Sequence, residues 1–180
     1  MSDRPARPAG SADPVYLPWG TVTDRFWARG AYGVGGRLAA IAATAEAGEV
    51  ARAAAQAEAL DGEVSRAHGE QHPALVDIRE VRGYLAHLTG QHTAAVRWYL
   101  VAVRLRAELT GPTHPQTALA VRRTFSLWRS IPGGEALTLA AELLTTVIAV
   151  EGPRSRTVRH IGGQLLALSE PGRISTHPSA

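Results

Sequence analysis

The sequence of 180 residues contains no cysteine and no lysine. The lack of cysteine excludes disulfide bonds, thiol nucleophiles and cysteine-ligated metal centres. No uninterrupted apolar run approaches the roughly 18 residues that a membrane-spanning helix needs. The start of the chain, MSDRPARPAGSADP, is polar and lacks the apolar segment of a secretory signal peptide. We therefore expect a cytoplasmic protein with no membrane partner.

Signatures of catalysis and metal binding are also missing. The glycine-rich stretch 33–36 has neither the preceding strand nor the following Lys-Ser/Thr of a phosphate-binding loop. The sequence contains no GxSxG and no HExxH motif. Two histidine pairs, His68/His72 and His87/His92, have metal-like spacing, but helix-breaking residues interrupt both pairs. We expect no enzyme activity, no cofactor and no bound metal.

Charge is distributed unevenly along the chain. The net charge is +3, and all 19 basic residues are arginine. Residues 72–130 contain eight arginines and three acids, a local balance of +5, whereas residues 1–71 contain seven arginines and nine acids, or −2. This pattern predicts an anion-attracting middle region. A solvated surface of unpaired arginines is the alternative interpretation.

Alanine-rich, helix-forming segments dominate the part of the chain that follows residue 36. Their apolar spacing predicts helices over 37–47, 49–68, 73–89, 91–110, 115–130, 135–150 and 154–169. Glycine follows these segments, as at Gly69 and Gly111, because it readily adopts the left-handed backbone conformation past a helix end. Proline opens the next segment, as at Pro73 and Pro115, because the first helical turn does not need its missing N–H.

The two ends of the chain differ from this helical region. Residues 1–14 and 171–180 are predicted to be a disordered tail and a frayed tail. Residues 15–35 form a predicted N-terminal arm that contains Tyr16, Trp19, Phe26, Trp27 and Tyr32. Aromatic side chains seldom stay in water, so the arm either packs against the helices or docks onto a partner. The helical domain is expected over residues 36–170.

An internal repeat becomes visible when the chain is laid over itself with an offset of 42. His72-Pro73 falls on His114-Pro115, and further matches are Gly48 with Gly90, Ala53 with Ala95, Gly69 with Gly111 and Leu85 with Leu127. Each unit is a pair of helices, and a third, degenerate unit runs from 115 to 152. A period of 20–50 residues built from helix pairs predicts an all-α solenoid, in which each unit packs on its neighbours.

Residues 90–117 resemble a tetratricopeptide repeat of the 42-residue subtype found in kinesin light chains and in bacterial regulators. The residues that match in register are Gly90, Ala95, Tyr99, Ala102, Leu105, Arg106, Gly111, Pro112, His114, Pro115 and Thr117. The resemblance implies a right-handed α-solenoid of about three helix-turn-helix units plus a capping helix. It also implies a non-catalytic adaptor that binds a peptide or a partner protein.

The sequence departs from that family at positions that bear on packing and binding. Arg82 and Thr124 stand where the first helix of a unit carries leucine, and Val81 and Arg123 stand where peptide-clamping members often carry asparagine. An asparagine ladder that grips a peptide backbone is therefore not evident.

The resemblance places the first helix of each unit on a concave groove. The residues expected to bind the partner there are Glu80, Tyr84, His87, Arg122, Arg123, Ser126 and Arg129. Arginines one turn apart suit carboxylates or phosphates, so a protein or peptide with acidic groups is the expected partner. The aromatic side chains Trp98, Tyr99, Phe125 and Trp128 are interpreted as packing residues.

Two other functions remain open. One is a self-assembling, dimeric helical-repeat protein that pairs through the apolar segment 135–150 and the end at 154–170, since an uncapped solenoid end exposes apolar surface. The other is an arginine-rich nucleic-acid-associated regulator, which the isoelectric point near 9.9 permits. No helix-turn-helix or RNA-recognition motif accompanies the charge, and nucleic acid is the less favoured partner.

Overall fold

A computed structural model describes residues 34–169 together with the backbone of two short segments before them. Within 34–169 the chain forms seven helices: α1 (Gly35–Glu46), α2 (Val50–His68), α3 (Ala74–Leu88), α4 (His92–Thr110), α5 (Pro115–Ser130), α6 (Gly133–Glu151) and α7 (Arg156–Ser169). Strands β1 (Tyr16–Leu17) and β2 (Gly20–Thr21) pair antiparallel. The predicted tails and the side chains of the aromatic arm lie outside the described residues.

The seven helices confirm the all-α prediction and follow the punctuation of the sequence. Gly69 and Gly111 end α2 and α4 with φ of +85° and +96°, values that side chains of other residues rarely allow. His114 caps α5, because its Nδ1 accepts a hydrogen bond from the backbone N–H of Gln116 at 3.2 Å. His72 does the same before α3. The repeated histidine therefore serves helix entry.

Neighbouring helices pack on each other along the whole described array. Additional contacts join α1 to α3, α4 to α6 and α5 to α7, whereas α2 does not reach α4 and α3 does not reach α5. Helix α4 consequently packs against α3, α5 and α6, and α6 packs against α4, α5 and α7. Helices α4 and α6 are therefore packed together, whereas α2 and α4 are apart.

Polar contacts fix the parallel alignment of α4 and α6. Thr93 donates to Glu135 at 2.8 Å, Arg97 pairs with Glu142 at 2.9 Å, and Arg104 donates to Thr146 at 3.2 Å. The partners advance together along both helices, so the two helices run in the same direction. This is the arrangement expected when one helix pair stacks on the preceding pair.

The buried side chains form two clusters that meet between α3 and α4. The first cluster contains residues from α1, α2 and α3 together with Leu105 of α4, and the second contains residues from α4 to α7. Trp128 is completely buried in the second cluster, and its indole N–H donates to the carbonyl oxygen of Ala136 at 2.8 Å. Tyr99 is buried as well, so the packing role predicted for these two aromatic residues is confirmed.

The closest approach between α3 and α4 occurs at Gly83. A Cβ atom at this position would lie 2.8 Å from two ring carbons of Tyr99 and 3.2 Å from the carbonyl oxygen of Ala95. The buried Tyr99 ring cannot move aside freely, so only glycine fits. Gly62 lies inside α2, and a Cβ atom there would meet nothing within 4 Å.

These two glycines give a matched pair of substitutions. Gly83→Ala should lower the free energy of unfolding by about 1–2 kcal/mol, because overpacking outweighs the gain in helix propensity. Gly62→Ala should raise it by about 0.5–1 kcal/mol, because alanine loses less backbone entropy in a helix. Urea titration followed by circular dichroism measures both changes. Equal effects of the two substitutions would contradict the tight α3–α4 contact.

Candidate interaction surface

Helix α5 turns a row of polar side chains toward the solvent. Its buried side carries Ala120, Val121, Thr124, Leu127 and Trp128. The opposite side carries Arg122, Ser126 and Arg129 at spacings of four and three, which place them on one face. Arg122 and Arg129 are exposed, and Ser126 is half-buried. The structure therefore brings three of the predicted binding residues together.

Helix α7 extends this face beside α5. The rings of Phe125 and His160 lie 6.4 Å apart and nearly parallel, at an angle of 22°. The Arg129 guanidinium lies 5.7 Å from the Phe125 ring. Arg156 is exposed and precedes His160 by one helical turn. The exposed Arg122, Arg129, Arg156 and His160, with Ser126 between them, are called the arginine face below.

Acidic residues are absent from the stretches of sequence that carry the arginine face. Residues 112–134 and 152–169 contain six arginines and no carboxylate. On α6, Glu135 accepts a hydrogen bond from Thr93, and Glu142 pairs with Arg97 of α4. The Glu142 side chain holds the pKa of Arg97 above its ordinary value through a hydrogen bond and charge attraction. These two carboxylates therefore bind side chains of α4 and do not neutralise the arginine face. The charge of that face stays available to a partner.

The predicted residues on α3 are placed differently. Glu80 and Tyr84 are each only 3% exposed, and Glu80 accepts a hydrogen bond from Arg106 at 2.9 Å. Both side chains lie in the interior, where a partner cannot contact them. The prediction that they line an open groove assumed that this face of α3 is exposed, whereas both side chains are buried.

His87 is half-buried near the end of α3, and its ring lies 5.9 Å from the ring of His92. Burial lowers the pKa of His87, and the nearby His92 lowers it further. The neutral form of His87 is therefore favoured. No Cα atom of α3 lies within 8 Å of a Cα atom of α5, so we do not count His87 as part of the arginine face.

Arg123 occupies the flank of α5 that is turned toward Tyr99. Burial raises the pKa of the Tyr99 phenol well above its ordinary value, Glu80 raises it further, and Arg123 opposes the rise. Half-buried Arg123 thus interacts with an interior tyrosine, while Arg122 beside it faces outward. Of the adjacent arginines, Arg122 is the one that belongs to the arginine face.

A surface groove of about 440 Å³ runs between α2 and α4 and was not predicted. Small side chains of α2 form one wall, and Arg82 and Trp98 lie among the residues that line the rest. The Arg82 guanidinium lies 3.7 Å from the centre of the Trp98 ring, a close cation–π contact. Trp98 is half-buried, so its interpretation as a pure packing residue is only partly right. One feature of the sequence could have indicated this groove. Arg82 stands where the repeat family that the chain resembles carries leucine.

Asp61 holds the floor of this groove in place. It is buried between two arginines of α3: its carboxylate lies 2.6 Å from Arg82 and 3.5 Å from Arg79. Arg79 also bonds Glu70, and Arg82 approaches Glu58 at 3.4 Å. The Arg79 guanidinium lowers the pKa of Glu70 through a hydrogen bond and charge attraction. This network adds ion pairs to the apolar packing that already joins α2 and α3 in the first core cluster.

Metal-ligating side chains do not assemble into a site in the described part of the chain, where no group of three or more histidines, aspartates or glutamates has suitable geometry. His68 and His72 stack with their ring centres 4.6 Å apart. By length and composition α6 is apolar enough to cross a membrane, although part of its surface is buried against the other helices.

No model of a known protein family and no curated protein sequence matches the chain.

The network around Asp61 predicts a large effect on stability. Asp61→Asn should lower the free energy of unfolding by about 3 kcal/mol, because two largely buried guanidinium groups lose their shared counter-charge. The control is Glu49→Gln, which removes the exposed pair with Arg52 and should cost less than about 1 kcal/mol. Chemical denaturation measures both. A cost at Asp61 no larger than at Glu49 would contradict the structural role of the network.

Proposed function

We propose that the protein is a non-catalytic interaction module that binds an acidic segment of a partner protein on the arginine face. We further propose that its helix pairs stack as a right-handed, tetratricopeptide-like solenoid that acts as an adaptor in the cytoplasm. The segregation of charge carries this proposal. Arginines on α5 and α7 have no acidic residue within their own helices.

The chemistry of the face favours carboxylate or phosphate groups. Guanidinium groups donate several hydrogen bonds in a fixed fork, which suits both kinds of anion. Ser126 adds a hydroxyl between Arg122 and Arg129, and Phe125 and His160 add flat ring surfaces beside them. Aromatic and arginine side chains are the types enriched where binding energy concentrates in protein interfaces. An acidic peptide with one apolar or aromatic side chain fits this set.

Interior arginines are excluded from this role by their contacts. Arg79 and Arg82 are committed to Asp61, and Arg106 is committed to Glu80. Removing any of these three would damage folding rather than binding. The exposed arginines of α5 and α7 can be changed without touching a buried partner, so binding and stability are separable in an experiment.

The test is binding of a fluorescent oligo-glutamate peptide, measured by anisotropy at low salt and at about 0.15 M salt. Arg122→Glu with Arg129→Glu should weaken binding about tenfold or more and remove most of its salt dependence. Arg66→Glu is the matched control, because Arg66 is exposed on α2 and far from α5 in sequence. It should leave binding nearly unchanged.

A duplex DNA of mixed sequence provides the second arm of the same experiment. The paired α5 variant reverses two charges and the Arg66 control reverses one. A loss of binding free energy in the control that is half or more of the loss in the paired variant would mean that net charge, and not the arginine face, attracts the peptide. Tight DNA binding without peptide binding would contradict a protein partner and favour the nucleic-acid function.

A further inference from the structure

The solvent side of α6 carries an uncharged apolar stripe. Leu137 and Ile148 are 42% and 40% exposed, Ala141 is exposed between them, and Leu144 is half-buried at the edge of the core cluster. Their spacings of four, three and four residues place them in one row along the helix. The charged residues of α6 are Glu135, Glu142 and Glu151. The first two are turned toward α4, and Glu151 follows Ile148 by three residues at the end of the row.

The same face of α4 is covered. Helices α4 and α6 both have 19 residues and both end at a glycine of positive φ. Aligning the two helices by their ends sets Leu137, Ala141, Leu144 and Ile148 of α6 on Val96, Leu100, Val103 and Ala107 of α4. Val96, Leu100 and Val103 are at most 1% exposed, because α5 and α6 pack over them. The stripe on α6 is therefore a stacking face without a following second helix in the described array.

Helix α2 carries mostly polar side chains on the equivalent face. Its equivalent positions are Ala54, Glu58, Asp61 and Ser65, and its Asp61 binds arginines of α3. Helix α2 consequently does not contact α4, and a groove remains between them. The stripe on α6 has no such polar substitute, so it is suited to cover by another apolar helix.

We infer that the stripe on α6 pairs with the stripe of a second copy of the chain, in an antiparallel arrangement about a two-fold axis. Such pairing brings identical surfaces together, which is favourable only where no like charges meet. The stripe satisfies this condition. Antiparallel pairing also sets Leu137 against Ile148 of the second copy at both ends of the seam, and the small Ala141 against the larger Leu144 in its middle. This inference goes beyond binding at the arginine face and does not depend on it.

Light scattering coupled to size-exclusion chromatography tests the pairing on the full chain. The wild type should have the mass of a dimer at high micromolar concentration. Leu137→Glu alone and Ile148→Lys alone should each be monomeric, because each places a charge against an apolar side chain. Mixing these two variants should restore a dimer, since the introduced carboxylate of one chain then meets the introduced ammonium group of the other. At the far end of the seam, the unchanged Ile148 of the first variant meets the unchanged Leu137 of the second.

Leu109→Glu is the control, because Leu109 is also 40% exposed but lies on α4. It should remain a dimer, and circular dichroism should give the same helix content for all variants. A monomeric wild type would overturn the pairing, and so would dimers of both single variants. Failure of the mixture to dimerise would overturn the antiparallel arrangement. Binding of the monomer to zwitterionic lipid vesicles, lost in Leu137→Glu, would assign the stripe to a membrane surface and contradict a second copy.

Discussion

The described structure depends on covering helix α4 on three sides. Seven of its side chains are buried, five of them in the second core cluster, and the helix packs against α3, α5 and α6. Apolar surface of this extent is stable in water only when neighbouring helices exclude the solvent. The close contact between Tyr99 and Gly83 holds α3 against one side of α4. Three polar contacts hold α6 against another side of α4. The arrangement of the helices around α4 follows from the need to exclude water from its apolar surface.

Helix ends and packing were the predictable part of this fold. Glycine and proline positions gave the helix limits to within about two residues, because the rules for helix ends are local. The recurrence of His114 before a proline marked the position, and the structure shows its role, because its ring accepts a hydrogen bond that caps α5. The all-α class also followed, since the apolar period is helical throughout residues 36–169.

The candidate site was predictable only in part. Arg122 and Arg129 face outward as expected, but Glu80 and Tyr84 are buried. Which face a helix turns inward depends on how its neighbours cross it, and the sequence of one helix does not contain that information. The groove at Trp98 was missed for the same reason. It lies where α2 and α4 are apart, beside the ion pairs between Asp61 and two arginines of α3.

A stack in which every helix is stabilised by its neighbours has a gradient of local stability from its middle to its ends. Hydrogen exchange of backbone amides, followed along the chain by mass spectrometry, measures that gradient directly. We expect the amides of α4 to be the most protected, and those of α1 and α7 to exchange first by local opening. Equal protection in α1, α4 and α7, or stronger protection at the ends than in α4, would contradict a stack that is organised around α4.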